Sequence, residues 1–213
     1  MARPRQFDEH VALEVAMNRF WERGYERTTV RDLSDKMGVT LSSFFNAFGD
    51  KRSVFERALQ LYVLEVVGSL TAHFDEDAPP LTILERFFAD LIGKSLEDPD
   101  NRGCLVANSV VEIGPHDAGF REVVVQVMAR FEKSFEKLIR RGQREGTVNA
   151  SLSPKEMASL LLALMVSLRV LVRARPERAL LEGAIRPVFV LLAPATSGAM
   201  SPSKLRRKTS SPD

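Results

Sequence analysis

Apolar residues recur along this chain at steps of three and four, and no segment alternates as a half-buried strand would. The pattern predicts an all-α protein. Ala12, Val15, Ala16 and Phe20 form the inward stripe of a first helix over 7–23, with Asp8 and Glu9 near its positive end and Gly24 closing it. Thr29, with Asp32 three residues on, is a capping-box-like start. Val30, Leu33 and Met37 then carry a second short helix. Gly38 stops that helix, because a residue without Cβ takes the left-handed conformation that a sharp C-terminal turn needs. Thr40 caps a third helix over 41–47, with Ser43 at its third position. Helix, glycine turn, and helix with a small polar leading edge is the arrangement that places a recognition helix in a DNA major groove.

A longer helix is expected over 50–73, where Val54, Phe55, Ala58, Leu59, Tyr62, Val63 and Val66 keep helical spacing. FDEDAPP breaks the chain there, since Pro79 and Pro80 cannot sit inside a helix. Helices over 81–97 and 104–113 follow, separated by EDPDNRG. After GPHDAG a long stripe through Phe120, Val124, Phe131, Phe135 and Ile139 predicts a helix over 118–141, closed by Gly142 and Gly146. Ser153-Pro154-Lys155-Glu156 is a capping box with proline at the first helical position. The helix it opens is apolar nearly all round, so it needs cover on two faces, one from its own domain and one from a partner. A last helix runs from Pro176 to Pro194. Two such helices beside their copies from a second chain make a four-helix interface. A single buried central helix in a monomer is the other reading.

Composition is that of an ordinary globular chain: 213 residues, 45% apolar and 27% charged. Without an uninterrupted apolar run of about 18 residues, no transmembrane helix is expected. MARPRQFDEH has no apolar signal core and a lone cysteine forms no internal disulfide, so a cytoplasmic protein is expected. Charge changes the picture more. Residues 1–51 hold eight Lys/Arg against eight Asp/Glu, so DNA binding there must rest on a few placed donors rather than bulk positive charge. Arg3 and Arg5 precede the first helix and form a basic arm. Residues 194–213, rich in Ser and Pro around KLRRK, read as a disordered tail.

ALEVAMNRFWERGYERTTVRDLSDKMGVTLSSFFNAFGDKRSVFERAL resembles the DNA-binding half of the TetR/AcrR repressors. The resemblance runs in register over 7–62 and includes Ala16, Phe20, Gly24, Tyr25, Thr29, Gly38, Val39, Phe48, Lys51 and Phe55. It implies a helix-turn-helix DNA-binding domain over 1–51, a helical effector-binding and dimerisation domain over 52–193, and a basic tail over 194–213. It further implies a homodimer joined through the two C-terminal helices, a double-stranded DNA operator as partner, and a helix over 50–73 whose tilt sets the separation of two heads. The recognition helix, capped by Thr40, presents Leu41, Ser42, Ser43, Phe45 and Asn46. Asn46 suits an adenine edge, the serines reach bases or phosphates, and Leu41 or Phe45 meets a thymine methyl. Thr28, Thr29 and Arg31 sit where a helix start grips phosphate, and Lys51 matches the family's lysine. Phe45 stands where the family has tyrosine, and Ser42 where glycine is common.

In the second half, RGCLVANSVVEIG resembles a GCL-x-x-N segment of one branch of that family, some members of which respond to electrophiles or oxidants through a cysteine. Cys104 follows Arg102 at a predicted helix start, and a helix N-terminus and a guanidinium both favour thiolate. Cys104 is thus either a sensor thiol or a small core residue. Phe87, Phe88, Leu91, Cys104, Asn108, Phe120, Val124, Met128 and Phe131 are the candidate lining of a pocket for a small apolar or electrophilic effector. His73, His116 and Cys104 lack metal-ligand spacing, so no metal or cofactor is expected. Two other classes stand beside the regulator. One is a helical protein-interaction module without specific DNA binding; the other is a thiol-dependent enzyme built on Cys104 and His116, for which no oxyanion site or orienting group is evident.

Overall fold

The computed structural model describes residues 7–194; the arm at Arg3 and Arg5 and the KLRRK tail lie outside them. The described residues form α1 (Glu9–Arg23), α2 (Val30–Met37), α3 (Leu41–Phe48), α4 (Lys51–Tyr62), α5 (Gly68–Thr71), α6 (Pro80–Glu97), α7 (Leu105–Glu112), α8 (Ala118–Arg144), α9 (Pro154–Ala174) and α10 (Arg178–Leu192), with no strand among them. The protein is all-α, as the periodicity predicts.

Two cores organise these helices. In the first, Ala16 and Phe20 of α1, Leu33 of α2, Phe44 and Phe48 of α3, and Phe55, Ala58 and Tyr62 of α4 are buried together. Leu105, Val106, Phe120 and Val124 of α7 and α8 complete that core, so the first turns of the second half close the head from below. The second core joins α6, α8, α9 and α10 through Phe87, Phe88, Phe131, Phe135, Leu161, Leu168, Leu181 and Ile185. Each buried aromatic or aliphatic side chain here contributes roughly 1.5–3 kcal/mol of transfer free energy. The pairing of α8 with α9 is the most extensive helix contact.

Four departures from the sequence pattern have local causes. The helix over 50–73 is interrupted: α4 ends at Tyr62, a π turn covers Val63–Val67, and α5 gives way to a 3₁₀ turn at Ala72–Asp75. Apolar spacing does not distinguish i→i+4 from i→i+5 hydrogen bonding, and no residue of the π turn is buried to enforce regular winding. Pro80 opens α6 instead of lying outside it, because a first-turn residue needs no helical N–H. Gly142 lies inside α8, which continues to Arg144; a Cβ there would come 2.3 Å from Val148 Cγ2, so the glycine admits that side chain. Pro187 lies inside α10, removing one helical donor.

α9 also corrects the hydropathy argument. By length and composition it is the one helix among the described residues apolar enough to cross a membrane, with mean hydropathy 1.9 over an 18-residue window. Scattered serines and two arginines, Arg169 and Arg173, interrupt its run without lowering the window average much. Only 28% of that window is buried in the single chain.

Candidate nucleic-acid interface and effector cavity

The helix-turn-helix is fixed by its caps. Thr29 Oγ1 accepts from Asp32 N–H at 3.1 Å and starts α2. Gly38 adopts φ 68°, ψ 29°, the left-handed cap, and Val39 N–H returns to Ser34 C=O at 3.0 Å. Thr40 Oγ1 accepts from Ser43 N–H at 3.1 Å and donates to Ser43 Oγ at 3.0 Å. Such a cap is worth about 1 kcal/mol. Phe44 and Phe48, one turn apart, anchor α3 in the head core, so the opposite side of the helix faces out. That side carries Ser42 and Asn46, both exposed, with Leu41 at 46% and Phe45 at 50% exposure. Two half-exposed apolar side chains interleaved with small polar ones suit base edges and thymine methyls.

The scaffold behind α3 is tied by charge. Arg19 of α1, buried, donates through Nε to Asp32 Oδ2 at 2.6 Å and through Nη2 to Asp32 Oδ1, with Glu22 alongside. Hydrogen bonding from Arg19 holds the Asp32 carboxyl below the usual carboxylate range. Arg57 of α4 reaches Glu9 of α1 at 3.0 Å. Lys51 Nζ sits 4.1 Å from the centre of the Tyr25 ring. Thr29 and Arg31 are exposed at the start of α2. Thr28 is not on that surface: it is fully buried and its hydroxyl donates to Gly24 C=O at 2.7 Å.

Several contacts tie α1–α4 to α7 and α8, among them these. Glu112, the last residue of α7, accepts from Tyr25 N–H and Glu26 N–H, each at 2.9 Å. Arg52 pairs with Asp117 at 2.7 Å, and Asp117 also caps α8 by accepting from Phe120 N–H at 2.9 Å. The Phe55 and Phe120 rings meet at 5.4 Å between centroids.

Below the head, a cavity of about 40 Å³ is lined by Tyr62, Leu91, Cys104, Met128, Phe131 and Arg169, with further aliphatic side chains. Cys104 is the N-cap residue of α7. Tyr62 Oη donates to Cys104 Sγ at 3.6 Å and accepts from Arg169 Nη2 at 2.9 Å. Arg169 Nη1 donates to Ser95 Oγ at 2.9 Å, and Ser95 passes its own proton to Leu91 C=O at 2.6 Å. Burial pushes the Tyr62 phenol far above its ordinary value, so its hydroxyl is neutral and available as a donor. Gly103, at φ +73°, lets the loop before α7 pass over α9; a Cβ there would lie 2.6 Å from Arg169 C=O. Arg102, the guanidinium nearest Cys104 in sequence, is spent elsewhere. It pairs with Asp98 at 3.0 Å, donates to Asn18 Oδ1 at 2.9 Å, and stacks 4.2 Å from the Trp21 ring centre.

Residues 12–58 match the profile of the bacterial regulatory proteins of the tetR family, and residues 80–188 match the tetracyclin repressor-like C-terminal domain. The chain belongs to the TetR family. It is 29% identical over 178 residues to the HTH-type transcriptional repressor DhaR of Mycobacterium sp. strain GP1, covering 83% of this chain and 88% of that protein. It is 24% identical over 147 residues to the HTH-type transcriptional repressor ComR of Escherichia coli, covering 68% of this chain and 70% of that one. Among solved structures it is similar to a cysteine mutant of the TetR family transcriptional regulator CifR complexed with 26 bp double-strand operator DNA. The TM-score is 0.79 and the identity 26%, over 88% of this chain and 98% of that chain. This TetR-family chain is a DNA-binding transcriptional regulator.

The candidate effector residues do not gather at one place. Leu91, Cys104, Met128 and Phe131 line the cavity. Phe87 and Phe88 are buried in the second core against Phe135. Phe120 and Val124 serve the head core, because α8 begins beneath Phe55. Asn108 donates to Arg102 C=O at 2.8 Å and lines a surface cleft between α1 and α7. The polar cavity residues Tyr62 and Arg169 are absent from the candidate set. An arginine inside the apolar run of α9 is the signal that marks the second. His73, tested only for metal spacing, lies between Glu76 and Asp90. Among the described residues, ligand atoms of His10, Glu14 and Glu65 come within 4.8 Å of one another on the surface, where His10 lies 3.4 Å from Glu65 of the π turn.

Proposed function

We propose that this TetR-family regulator is a cytoplasmic homodimeric repressor, released from a palindromic operator when its second half binds a small effector or when Cys104 is modified. The exposed edge of α3 carries the reading. Leu41, Ser42, Phe45 and Asn46 are held outward by the buried Phe44 and Phe48, in the placement that a major-groove helix needs. In this reading residues 1–51 are the head and 52–193 the effector and dimerisation unit. Thr29, Arg31 and Lys51 contact phosphate, and Thr40 and Ser43 set the helix start. Thr28 acts from inside, by holding the turn that leads into α2.

The dimer reading rests on α9 and α10. Val170, Val190 and Leu191 are exposed, and most of α9 is left uncovered by the other described residues. A second copy laid antiparallel on these two helices would cover them. Release follows from the contacts between halves. A change at the cavity moves α7, and with it the Glu112 acceptor beneath the turn before α2.

The test is a gel-shift titration of DNA flanking the protein's own gene, before and after thiol alkylation. Specific binding lost on alkylation and kept in Cys104→Ser establishes both the operator and the thiol switch. Binding that survives alkylation keeps the repressor and removes the thiol route. Failure to enrich any site from a random DNA library overturns the operator reading.

A further inference from the structure

Among the described residues two arginines are buried, and only one of them pairs with a carboxylate. Arg19 meets Asp32 and Glu22. Arg169, 7% exposed, donates to the neutral oxygens of Ser95 and Tyr62 and also interacts with the Cys104 thiol, and no carboxylate lies within ion-pair distance of it among the described residues. A guanidinium does not shed its proton, so an unpaired one in an apolar interior is a standing cost that a bound anion would relieve.

The surroundings define what such an anion must look like. Apart from Arg169, Tyr62 and Cys104, the cavity wall is aliphatic, aromatic or thioether: Leu91, Val127, Met128, Phe131 and Met165. By itself, about 40 Å³ holds little more than water. A surface cleft of about 340 Å³ lies next to it, between the Val63–Thr71 stretch and α8, and shares Val67, Val127 and Phe131 with the cavity wall. These shared side chains are the partition. Val127 and Phe131 are buried, whereas Val67 stands at the end of the π turn, none of whose residues is fully buried, so Val67 is the part of the partition that moves most readily. Displacing Val67 would join the cationic end at Arg169 to a mainly apolar cleft of the size that small-molecule sites have.

We propose that this joined space binds an aliphatic or aryl-aliphatic monocarboxylate, its carboxylate on Arg169 and the Tyr62 hydroxyl and its apolar body passing Val67 into the cleft beside α8. A planar guanidinium recognises a carboxylate through paired donors, and the cleft is lined mainly by apolar side chains, with the exposed Arg130 also among them. The proposal deepens the effector reading above by assigning a ligand class. It also links ligand to head: the displaced Val67 continues α4, and Cys104, hydrogen-bonded to Tyr62, begins α7. The alternative counter-anion is the Cys104 thiolate itself, and the test separates the two.

The experiment uses the full-length protein and measures thermal melting and calorimetric binding with hexanoate, octanoate and phenylacetate. Each is paired with its uncharged primary amide. At least one carboxylate is expected to bind about tenfold to a hundredfold more tightly than its amide. Arg169→Met is expected to erase that preference, and Arg169→Lys to keep part of it. Should Arg169→Met not fold, Tyr62→Phe gives a second reading, with a smaller loss for the carboxylate alone. Cys104→Ser is expected to retain carboxylate binding. Equal binding of acid and amide, no binding by any of the three acids, or a preference abolished by Cys104→Ser overturns the proposal. Operator anisotropy on the same samples keeps the readings apart. Intact DNA binding with no carboxylate preference defeats only this inference, and absent DNA binding with a carboxylate preference defeats only the operator reading.

Discussion

The carboxylate of Glu112 accepts the backbone N–H of Tyr25, 2.9 Å away, across 87 residues of sequence. With its second oxygen on Glu26 N–H it satisfies the turn between α1 and α2, whose donors would otherwise compete with water for their geometry. Glu112→Ala removes both acceptors and is expected to destabilise the fold by about 1–3 kcal/mol, read as a lowered Tm. It should also weaken operator binding, because the turn sets the entry of α2. Glu112→Gln, which keeps one acceptor oxygen, should recover part of each loss. Unchanged melting and DNA affinity in Glu112→Ala would remove this contact from the link between halves.

The outward and inward sides of α3 should respond differently to truncation. Asn46 is exposed, so Asn46→Ala should leave the folding stability within about 0.5 kcal/mol of the parent, read as a nearly unchanged Tm. Its operator affinity should fall by about 1–3 kcal/mol if the amide reads a base. Phe44 is fully buried, and Phe44→Ala should cost about 3–5 kcal/mol of stability. Paired melts and anisotropy titrations separate the two effects. A drop in Tm for Asn46→Ala with no change in DNA affinity would reverse the assignment of the helix sides.

His73 joins the 3₁₀ turn after α5 to α6, with Nδ1 on Glu76 and Nε2 on Asp90 at 2.8 Å, while Arg86 holds Glu76 at 2.7 Å. Hydrogen bonding to Glu76, then to Asp90, raises the imidazole pKa above its ordinary value. A group whose pKa is higher in the folded state stabilises fully below its unfolded value, about 6.5, and loses that contribution as pH rises through the folded value. The Tm should therefore decline on going from about pH 6 to pH 8, by more than in His73→Gln. Equal slopes for the two proteins would show that the pair does not bind protons differently on folding.

Local signals carried most of the fold. Thr29, Gly38 and Thr40 are caps whose chemistry is complete within four residues, so α2, the turn and α3 were legible at once. The π turn at Val63–Val67 was not, because valine and leucine keep an apolar spacing compatible with either winding. The cavity was harder still. Its lining comes from α4, α6, α7, α8 and α9, and an apolar residue on a helical stripe looks the same whether it faces a cavity or a core. Thus Leu91 and Phe131 line the space, whereas Phe87 and Val124 pack elsewhere. Thr28 was misleading for a related reason. Next to the exposed cap Thr29 it reads as surface, but it is buried and its hydroxyl is taken by Gly24.

The exposed apolar side chains of α9 and α10 give the assembly prediction its sharpest form. Val190 is 73% exposed and Leu191 lies beside it, at the end of a helix whose Leu181, Ile185 and Val188 are buried in the second core. A charge on the outer side should leave that core intact while being costly inside a dry interface. Val190→Asp with Leu191→Asp is therefore expected to give a folded monomer by sedimentation, with a Tm that no longer depends on protein concentration. Two heads held together gain effective concentration on a two-site operator, so the variant's operator affinity should fall about a hundredfold or more. Val123→Asp, on an exposed position of α8, serves as the control and should leave both assembly and DNA affinity unchanged. A double variant that remains dimeric and binds the operator as before would place the interface away from the end of α10.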